Sequence, residues 1–303
     1  MIARHLQLIL YFFTLSCYQS FWFPPFPFKV PSKKPSIVEK KPMLEPPHPR
    51  PIKRDFVEIK QSPFHNVLDQ FRVLQFNILA DGLSGLRDDL GAFSRADNSF
   101  LTWSYRKTRL LHEIVQYNPD IITLQECDHF YDFFSPELQN YGYAGFFAPK
   151  PASACKEVSD HDDGCALFYK TEKFQVIDCV TLPYTVPGEG EGVWKKQNQV
   201  ALLVSLLSAT KSQGQGEGPA LLVGTTHLKA SKTEEGEQLR LHEAQQLLEA
   251  MRSSMKKLSS LHGMWHGLYA SWAHVPGACI MLSVICDVLH SYSSPSFILP
   301  HHF

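Results

Sequence analysis

The chain has 303 residues, 44% of them apolar, which is enough to build one large domain or two small ones around a sizeable core. Its 29 basic and 30 acidic side chains give a net charge of -1, which excludes the overall positive field that holds a long polyanion. A small anionic substrate, held by a few local cations, suits this balance better.

The sequence of residues 1–23 predicts an apolar leader, which can be either a signal peptide or a mitochondrial import sequence. Arg4 and His5 precede an apolar run with the length of a signal-peptide core, which is too short to span a bilayer. The first acidic residue is Glu39, and an acid-poor leader is also typical of mitochondrial import. A location in the cytoplasm or mitochondrion is expected, secretion stays open as an alternative, and no stable membrane span is expected.

Residues 24–65 predict an extended linker. This segment carries 11 of the 21 prolines, mixed with lysines in phrases such as VPSKKP. Because proline fixes φ and lacks a backbone N–H, repeated prolines favour an extended chain over a packed layer. The folded domain is therefore expected to begin at residue 66 and to extend to residue 254.

Beyond the linker, the apolar periodicity alternates between strand and helix. FRVLQFNIL (71–79) predicts a buried strand, residues 103–117 an amphipathic helix and DIITLQ (120–125) a second strand, so together they predict a β-α-β unit. A short helix is expected at 130–141 and a longer one at 235–251. Further strands are predicted at 143–147, 164–169, 174–182, 198–207 and 220–226. Many strands with few helices indicate a two-sheet sandwich flanked by helices, in the α/β or α+β class.

Three of these predicted strands end in polar residues that can share one rim of a sandwich: Asn77, Glu126 and His227. Taken singly, an asparagine there usually caps a turn, a glutamate is usually solvated and a histidine is usually structural. Together they suit a Mg²⁺ and phosphate site, because Mg²⁺ prefers carboxylate, water and phosphate oxygens. The amide and the imidazole can donate hydrogen bonds to phosphate or stabilise negative charge on it.

An ordered set of motifs resembles the nocturnin family, which is related to the poly(A)-specific deadenylases within the endonuclease/exonuclease/phosphatase superfamily. The motifs are F-N-I-L-A at 76–80, L-Q-E at 124–126, F-A-P-K-P at 147–151, D-G-C-A-L-F-Y at 163–169, N-Q-V-A at 198–201 and T-H-L-K-A at 226–230. The resemblance implies an α/β two-sheet sandwich, a Mg²⁺ cofactor, and hydrolysis of the 2′-phosphate of NADP(H) to give NAD(H).

The resemblance also implies roles for single residues. Glu126 is expected to bind the metal, and Asn77 and His227 are expected to be catalytic. Three further residues are expected to bind the substrate, namely Lys150, Lys229 and Asn198. The alternatives left open are a 3′-exonuclease acting on poly(A) RNA, with RNA as the second choice of partner, and a catalytically silent regulatory fragment.

The sequence departs from the family pattern in two places. Ser231 stands where the family has an arginine, two residues after the lysine of H-L-K. The family's G-D-F-N segment, whose Asp and Asn bind and orient the nucleophile, does not occur in the sequence. The sequence S-D-H appears only at 159–161, in a loop that varies within the family, so we do not assign it to the catalytic site. Residues 255–303 are therefore expected to be an unrelated low-charge tail, with C-terminal strands of the sandwich missing and activity weak or absent.

Overall fold

The computed structural model describes residues 71–84, 96–189, 192–209, 220–261 and 278–285, without the side chains of 259–261 and 278–285. The leader and linker predictions, for residues 1–23 and 24–65, lie outside the described residues. The start of the domain at residue 66 lies outside them as well.

The first sheet has four strands in the order β1-β2-β4-β3. They are β1 Val73–Asn77, β2 Ile121–Cys127, β3 Tyr143–Pro149 and β4 Gly164–Lys170. β1 and β2 are parallel, and β4 runs antiparallel to both β2 and β3. The predicted β-α-β unit is thus confirmed, and it brings the C-terminal ends of β1 and β2 side by side.

The second sheet has the order β5-β6-β7-β8. Its strands are β5 Phe174–Pro187, β6 Trp194–Ser208, β7 Ala220–His227 and β8 Ala278–Ile285. The first three strands form an antiparallel meander, and β8 pairs in parallel with β7. β7 therefore lies inside the sheet, with a strand on each side.

Helices connect and cover these sheets. They are α1 Asn98–Leu101, α2 Trp103–Val115, α3 Ser135–Gln139, α4 Lys156–Ser159 and α5 Glu234–Leu261. The Thr102 side chain accepts from the N–H of Tyr105 and so caps the start of α2. The helix expected at 130–141 forms in two pieces, since a π-helical turn at Phe130–Phe134 precedes α3. Within the described ranges, no helix combines the length and the apolar character needed to cross a membrane.

Three apolar clusters arrange these elements in four layers. One cluster packs α2 and the Phe130–Phe134 turn on the outer face of the first sheet, with Ile114 and Phe168 fully buried. A second lies between the two sheets and joins Leu167 of β4 to Leu202 of β6. A third packs Leu247 of α5 on the outer face of the second sheet. The α/β two-sheet sandwich flanked by helices is therefore confirmed.

The structure differs from the expectation for residues 255–303 at two places. α5 continues to Leu261, and residues 278–285 form β8 instead of standing apart from the domain. An apolar segment of strand-forming residues can add to the open edge of β7, whose backbone groups would otherwise lack partners. One strand of the second sheet, β8, therefore lies within the residues that the sequence predicts to be an unrelated tail.

Candidate active site

Asn77, the last residue of β1, has a side chain that makes two hydrogen bonds. Its Oδ1 accepts from the N–H of Leu79 at 3.0 Å, which closes a turn in which Leu79 has a φ of 58°. Its Nδ2 donates to Oε1 of Glu126 at 2.8 Å. The amide therefore both caps a turn and fixes the orientation of a carboxylate on the neighbouring strand.

Glu126 lies at an irregular point of β2. Pairing between β2 and β4 shifts register between Leu124 and Cys127, and Glu126 has a φ of 53°, which is uncommon for any residue except glycine. Its side chain is nearly buried, and the N–H of Ala80 donates to Oε2 at 3.4 Å. Strained backbone of this kind persists where surrounding contacts enforce it, and it clusters at functional sites.

His227 is the last residue of β7 and brings the second sheet to the same rim. Its Nδ1 lies 3.7 Å from Oε1 of Glu126, the same oxygen that Asn77 contacts. Beside it, the side chain of Gln125 donates to Oγ1 of Thr225 at 2.8 Å and ties the two sheets together. Asn77, Glu126 and His227, predicted from three separate strand ends, therefore meet in the structure.

Lys150 follows β3 and forms an ion pair with Asp163. Its Nζ lies 2.5 Å from Oδ2 of Asp163, while Oδ1 of Asp163 accepts from the hydroxyl of Ser153 at 2.5 Å. Burial lowers the pKa of Lys150, but the nearby charges of Asp163 and Glu126 outweigh it, so the pKa is raised overall. Lys150 therefore stays protonated and places a positive charge near Glu126.

The two remaining predicted substrate-binding residues, Asn198 and Lys229, do not contact Asn77, Glu126 or His227 in any hydrogen bond described for them. Oδ1 of Asn198 accepts from the N–H of Ala152 at 2.9 Å, which ties β6 to the loop after β3. Lys229 follows β7, and its backbone N–H donates to Oε2 of Glu243 at 2.9 Å. Lys229 is half-buried; burial raises the pKa of Glu243, and the positive charge of Lys229 partly offsets this effect.

Several buried charges of the site escaped the sequence analysis. Arg106 of α2 donates from Nη1 to the carbonyl oxygens of Ile78 and Leu79, and its Nη2 lies 3.5 Å from Oδ1 of Asp81. Burial lowers the pKa of Arg106, and the nearby carboxylates of Asp81 and Asp128 partly offset this effect. The arginine thus supports the turn after β1 and balances part of the acidic charge.

Asp128 lies two residues after Glu126, and this closeness in sequence was the signal that could have identified it. Its Oδ2 accepts from the N–H of Asp81 at 2.6 Å, whereas its Oδ1 is buried with no hydrogen-bond partner among the described residues. Burial raises the pKa of this carboxyl group. A buried oxygen without a partner calls for an ion or a water molecule.

These residues fit a divalent cation. Glu126 and Asp128 each offer a hard oxygen donor of the kind that Mg²⁺ prefers: the carboxylate of Glu126 and the unpartnered Oδ1 of Asp128. Hydrogen bonds from Asn77 and Ala80 already fix the orientation of Glu126. A cation bound at this point would therefore meet a carboxylate that needs little rearrangement.

Comparison with known proteins assigns the chain to a family. The sequence model of the Endonuclease/Exonuclease/phosphatase family matches residues 74–225, which run from within β1 to within β7 and include Asn77 and Glu126, while His227 lies two residues beyond the match. The chain belongs to the Endonuclease/Exonuclease/phosphatase family. Members of this family are hydrolases, phosphatases or nucleases, that typically depend on a divalent metal.

Among known proteins, the chain is similar to nocturnins and to carbon catabolite repressor 4 homologs. Nocturnin of Mus musculus is 37% identical over 189 residues, covering 60% of this chain and 40% of that protein. Carbon catabolite repressor protein 4 homolog 3 of Arabidopsis thaliana is 32% identical over 177 residues, covering 58% of this chain and 35% of that protein. The chain spans about 40% of the length of the nocturnin relatives that it matches.

A solved structure is similar as well. The human Nocturnin catalytic domain with bound sulfate anion is 33% identical and aligns with a TM-score of 0.45. The alignment covers 60% of this chain and 59% of that one.

Proposed function

We propose that the rim formed by Asn77, Glu126 and His227 binds Mg²⁺ and hydrolyses the 2′-phosphate of NADP(H), giving NAD(H). The observation that carries the proposal is the convergence of an amide, a carboxylate and an imidazole from the ends of β1, β2 and β7. Oε1 of Glu126 lies 2.8 Å from Nδ2 of Asn77 and 3.7 Å from Nδ1 of His227.

Each residue has a role that follows from its contacts. Glu126 would hold Mg²⁺, which when bound neutralises phosphate charge and lowers the pKa of its water. Asn77 keeps the carboxylate of Glu126 oriented, and its turn at Leu79 fixes the amide in place. His227 offers an imidazole at the same carboxylate, where it can donate a hydrogen bond to a phosphate oxygen as charge builds on it.

Substrate binding relies on local cations. The ammonium group of Lys150 is held by Asp163, and Lys229 follows directly on the strand that carries His227. Two lysines suit a compact dinucleotide with several phosphates, and the net charge of -1 gives no general attraction for a long RNA strand. The substrate itself, NADP(H), rests on the family resemblance of the motifs.

A second candidate is a catalytically silent fragment that regulates by binding. The observation that favours it is the absence of G-D-F-N from the sequence, since that segment supplies an Asp and an Asn to the nucleophile in the family pattern. For this reason we expect turnover by this chain to be weak or absent.

The test is phosphate release by the purified chain in Mg²⁺, with NADPH, NADH and an adenylate oligomer as separate substrates. The matched control is Glu126→Gln, which keeps the size of the side chain and removes its charge. Slow release from NADPH that Glu126→Gln abolishes supports the phosphatase. Binding of NADPH without release, by a sample whose circular dichroism shows it to be folded, supports the silent fragment. Shortening of the oligomer with no action on NADPH would contradict the proposed substrate.

A further inference from the structure

A cluster of three metal-binding side chains lies outside the residues assigned to catalysis. His129 follows β2, Asp132 lies on the π-helical turn, and His161 lies in the loop before β4. One donor atom of each residue lies within 4.8 Å of those of the other two. The cluster therefore includes the histidine of the S-D-H segment, which the catalytic interpretation leaves without a role.

The geometry of the cluster is close to what a bound ion requires. Oδ2 of Asp132 lies 2.7 Å from Nδ1 of His129 and 3.9 Å from Nε2 of His161. Ligands of a tetrahedral zinc ion, each about 2.0 Å from the metal, lie roughly 3.3 Å apart. The two Asp132 distances lie on either side of this value, each about half an ångström from it, and the donor nitrogens of His129 and His161 lie within 4.8 Å of each other.

The ring of His129 is held in place by its packing. It stacks on Trp103 with centroids 3.9 Å apart and an angle of 5° between the planes. Its Nδ1 shares a hydrogen bond with Oδ2 of Asp132, whereas the buried Nε2 on the other side of the ring has no hydrogen-bond partner within the part of the chain that the structure describes. Nδ1 is therefore the nitrogen that would bind an ion shared with Asp132, in place of this hydrogen bond.

The donor set selects the type of metal. Imidazole nitrogen suits Zn²⁺, Co²⁺, Ni²⁺ and Cu²⁺, whereas Mg²⁺ prefers oxygen donors. Two imidazoles and one carboxylate leave a coordination position open in a tetrahedral ion. Asp132 and His161 are both partly exposed, so solvent can deliver the ion to the cluster.

We propose that His129, Asp132 and His161 form a binding site for a zinc-class transition-metal ion, separate from the Mg²⁺ site at Glu126. The ion joins the turn after β2 to the loop before β4. That loop leads directly to Asp163, which holds Lys150. Occupancy therefore stiffens the segments on both sides of the proposed catalytic rim.

The test uses Co²⁺, an absorbing substitute for Zn²⁺, titrated into the chelator-treated full chain in excess Mg²⁺. Calorimetry gives the stoichiometry, visible absorption reports the coordination, and quenching of tryptophan fluorescence reports an ion near Trp103. We expect His161→Ala and Asp132→Asn each to lose one Co²⁺ equivalent or to bind it at least tenfold more weakly. Both changes are at partly exposed side chains, and circular dichroism of each variant checks that it is folded.

Three control variants distinguish an ion at this cluster from an ion bound elsewhere on the chain. Asp162→Asn changes the neighbouring exposed carboxylate, Glu126→Gln removes the catalytic one, and Trp103→Phe removes the nearby fluorophore. We expect all three to bind as many Co²⁺ ions as the parent, with the loss of quenching confined to Trp103→Phe. The proposal is overturned if His161→Ala and Asp132→Asn bind like the parent, or if Glu126→Gln loses the same Co²⁺ ion.

Discussion

Asn77 shows how one side chain can serve both the fold and the site. The side-chain carbonyl oxygen closes the turn at Leu79, and the side-chain N–H donates to Glu126. Both polar atoms of the amide therefore have a hydrogen-bond partner. Aspartate has nearly the same shape but offers no donor. An amide fits this position because its N–H can donate to the carboxylate of Glu126.

The Asn77→Asp variant tests this pairing. The change removes the donor and brings a second carboxylate to the side chain of Glu126, so like charges repel at neutral pH. With a chelator present, we expect the free energy of unfolding at pH 8 to fall by about 1 to 3 kcal/mol. We expect most of the loss to be recovered near pH 5, or on addition of Mg²⁺.

Asn77→Ala is the matched control, because it removes the same hydrogen bond without adding a charge. Its stability is expected to differ from that of the parent by an amount that stays constant with pH. Urea unfolding at several pH values measures both variants. Identical pH profiles for Asn77→Asp and Asn77→Ala would show that no repulsion arises and that the carboxylates are not neighbours.

Glu243 of α5 is a buried acid beneath the end of β7. Burial raises its pKa from 4.5 to about 7, partly offset by the N–H of Lys229 and by the charges of Lys229, Arg240 and His227. Because the folded state holds this proton more tightly than the unfolded state, the folded protein loses stability as pH rises from about 4.5 to 7. Above that window the loss stays constant.

Glu243→Gln removes this titration. We expect the stability of the variant relative to the parent to rise by roughly 2 to 3 kcal/mol between pH 5 and pH 8. Glu249→Gln, an exposed position on the same helix, is expected to show no such trend. Thermal or urea unfolding across this range provides the measurement, and a flat difference between Glu243→Gln and the parent would refute the raised pKa.

At the scale of elements, the strands could be predicted better than their connections. Buried strands such as β1, β2 and β7 are apolar runs bounded by polar or turn residues, and that signal is local. The π-helical turn and β8 could not be predicted in this way. The Phe130–Phe134 turn depends on packing against α2, and β8 depends on an open edge that the first 254 residues create.

The role of β8 can be measured by truncating the chain after Leu261. β7 would then become an edge strand, whose unpaired backbone groups favour association with other chains. We expect the truncated protein to unfold at lower urea and to self-associate at high concentration in sedimentation experiments. If the tail that the sequence predicts at 255–303 does not belong to the domain, both proteins will have the same urea midpoint and will associate to the same extent.

For the whole molecule, the sequence predicted that three residues at strand ends would meet at one rim, and the structure brings them together. Asn77, Glu126 and His227 each follow an apolar run, so their position at one rim follows from the sandwich. Arg106 and Glu243 could not be found in this way, because each lies on a helix where it looks like an ordinary surface charge. Their burial depends on partners that are distant in sequence, such as Asp81 for Arg106.

The central claim is that the rim binds a metal ion together with a phosphorylated dinucleotide, and calorimetric titration of NADPH into the full chain tests it most directly. The titration is made with Mg²⁺ and with chelator, for the parent and for Glu126→Gln. We expect the parent to bind NADPH in Mg²⁺ at least tenfold more tightly than with chelator, and Glu126→Gln to lose this gain. Equal affinity in all four titrations, or no binding by a folded parent, would contradict the claim.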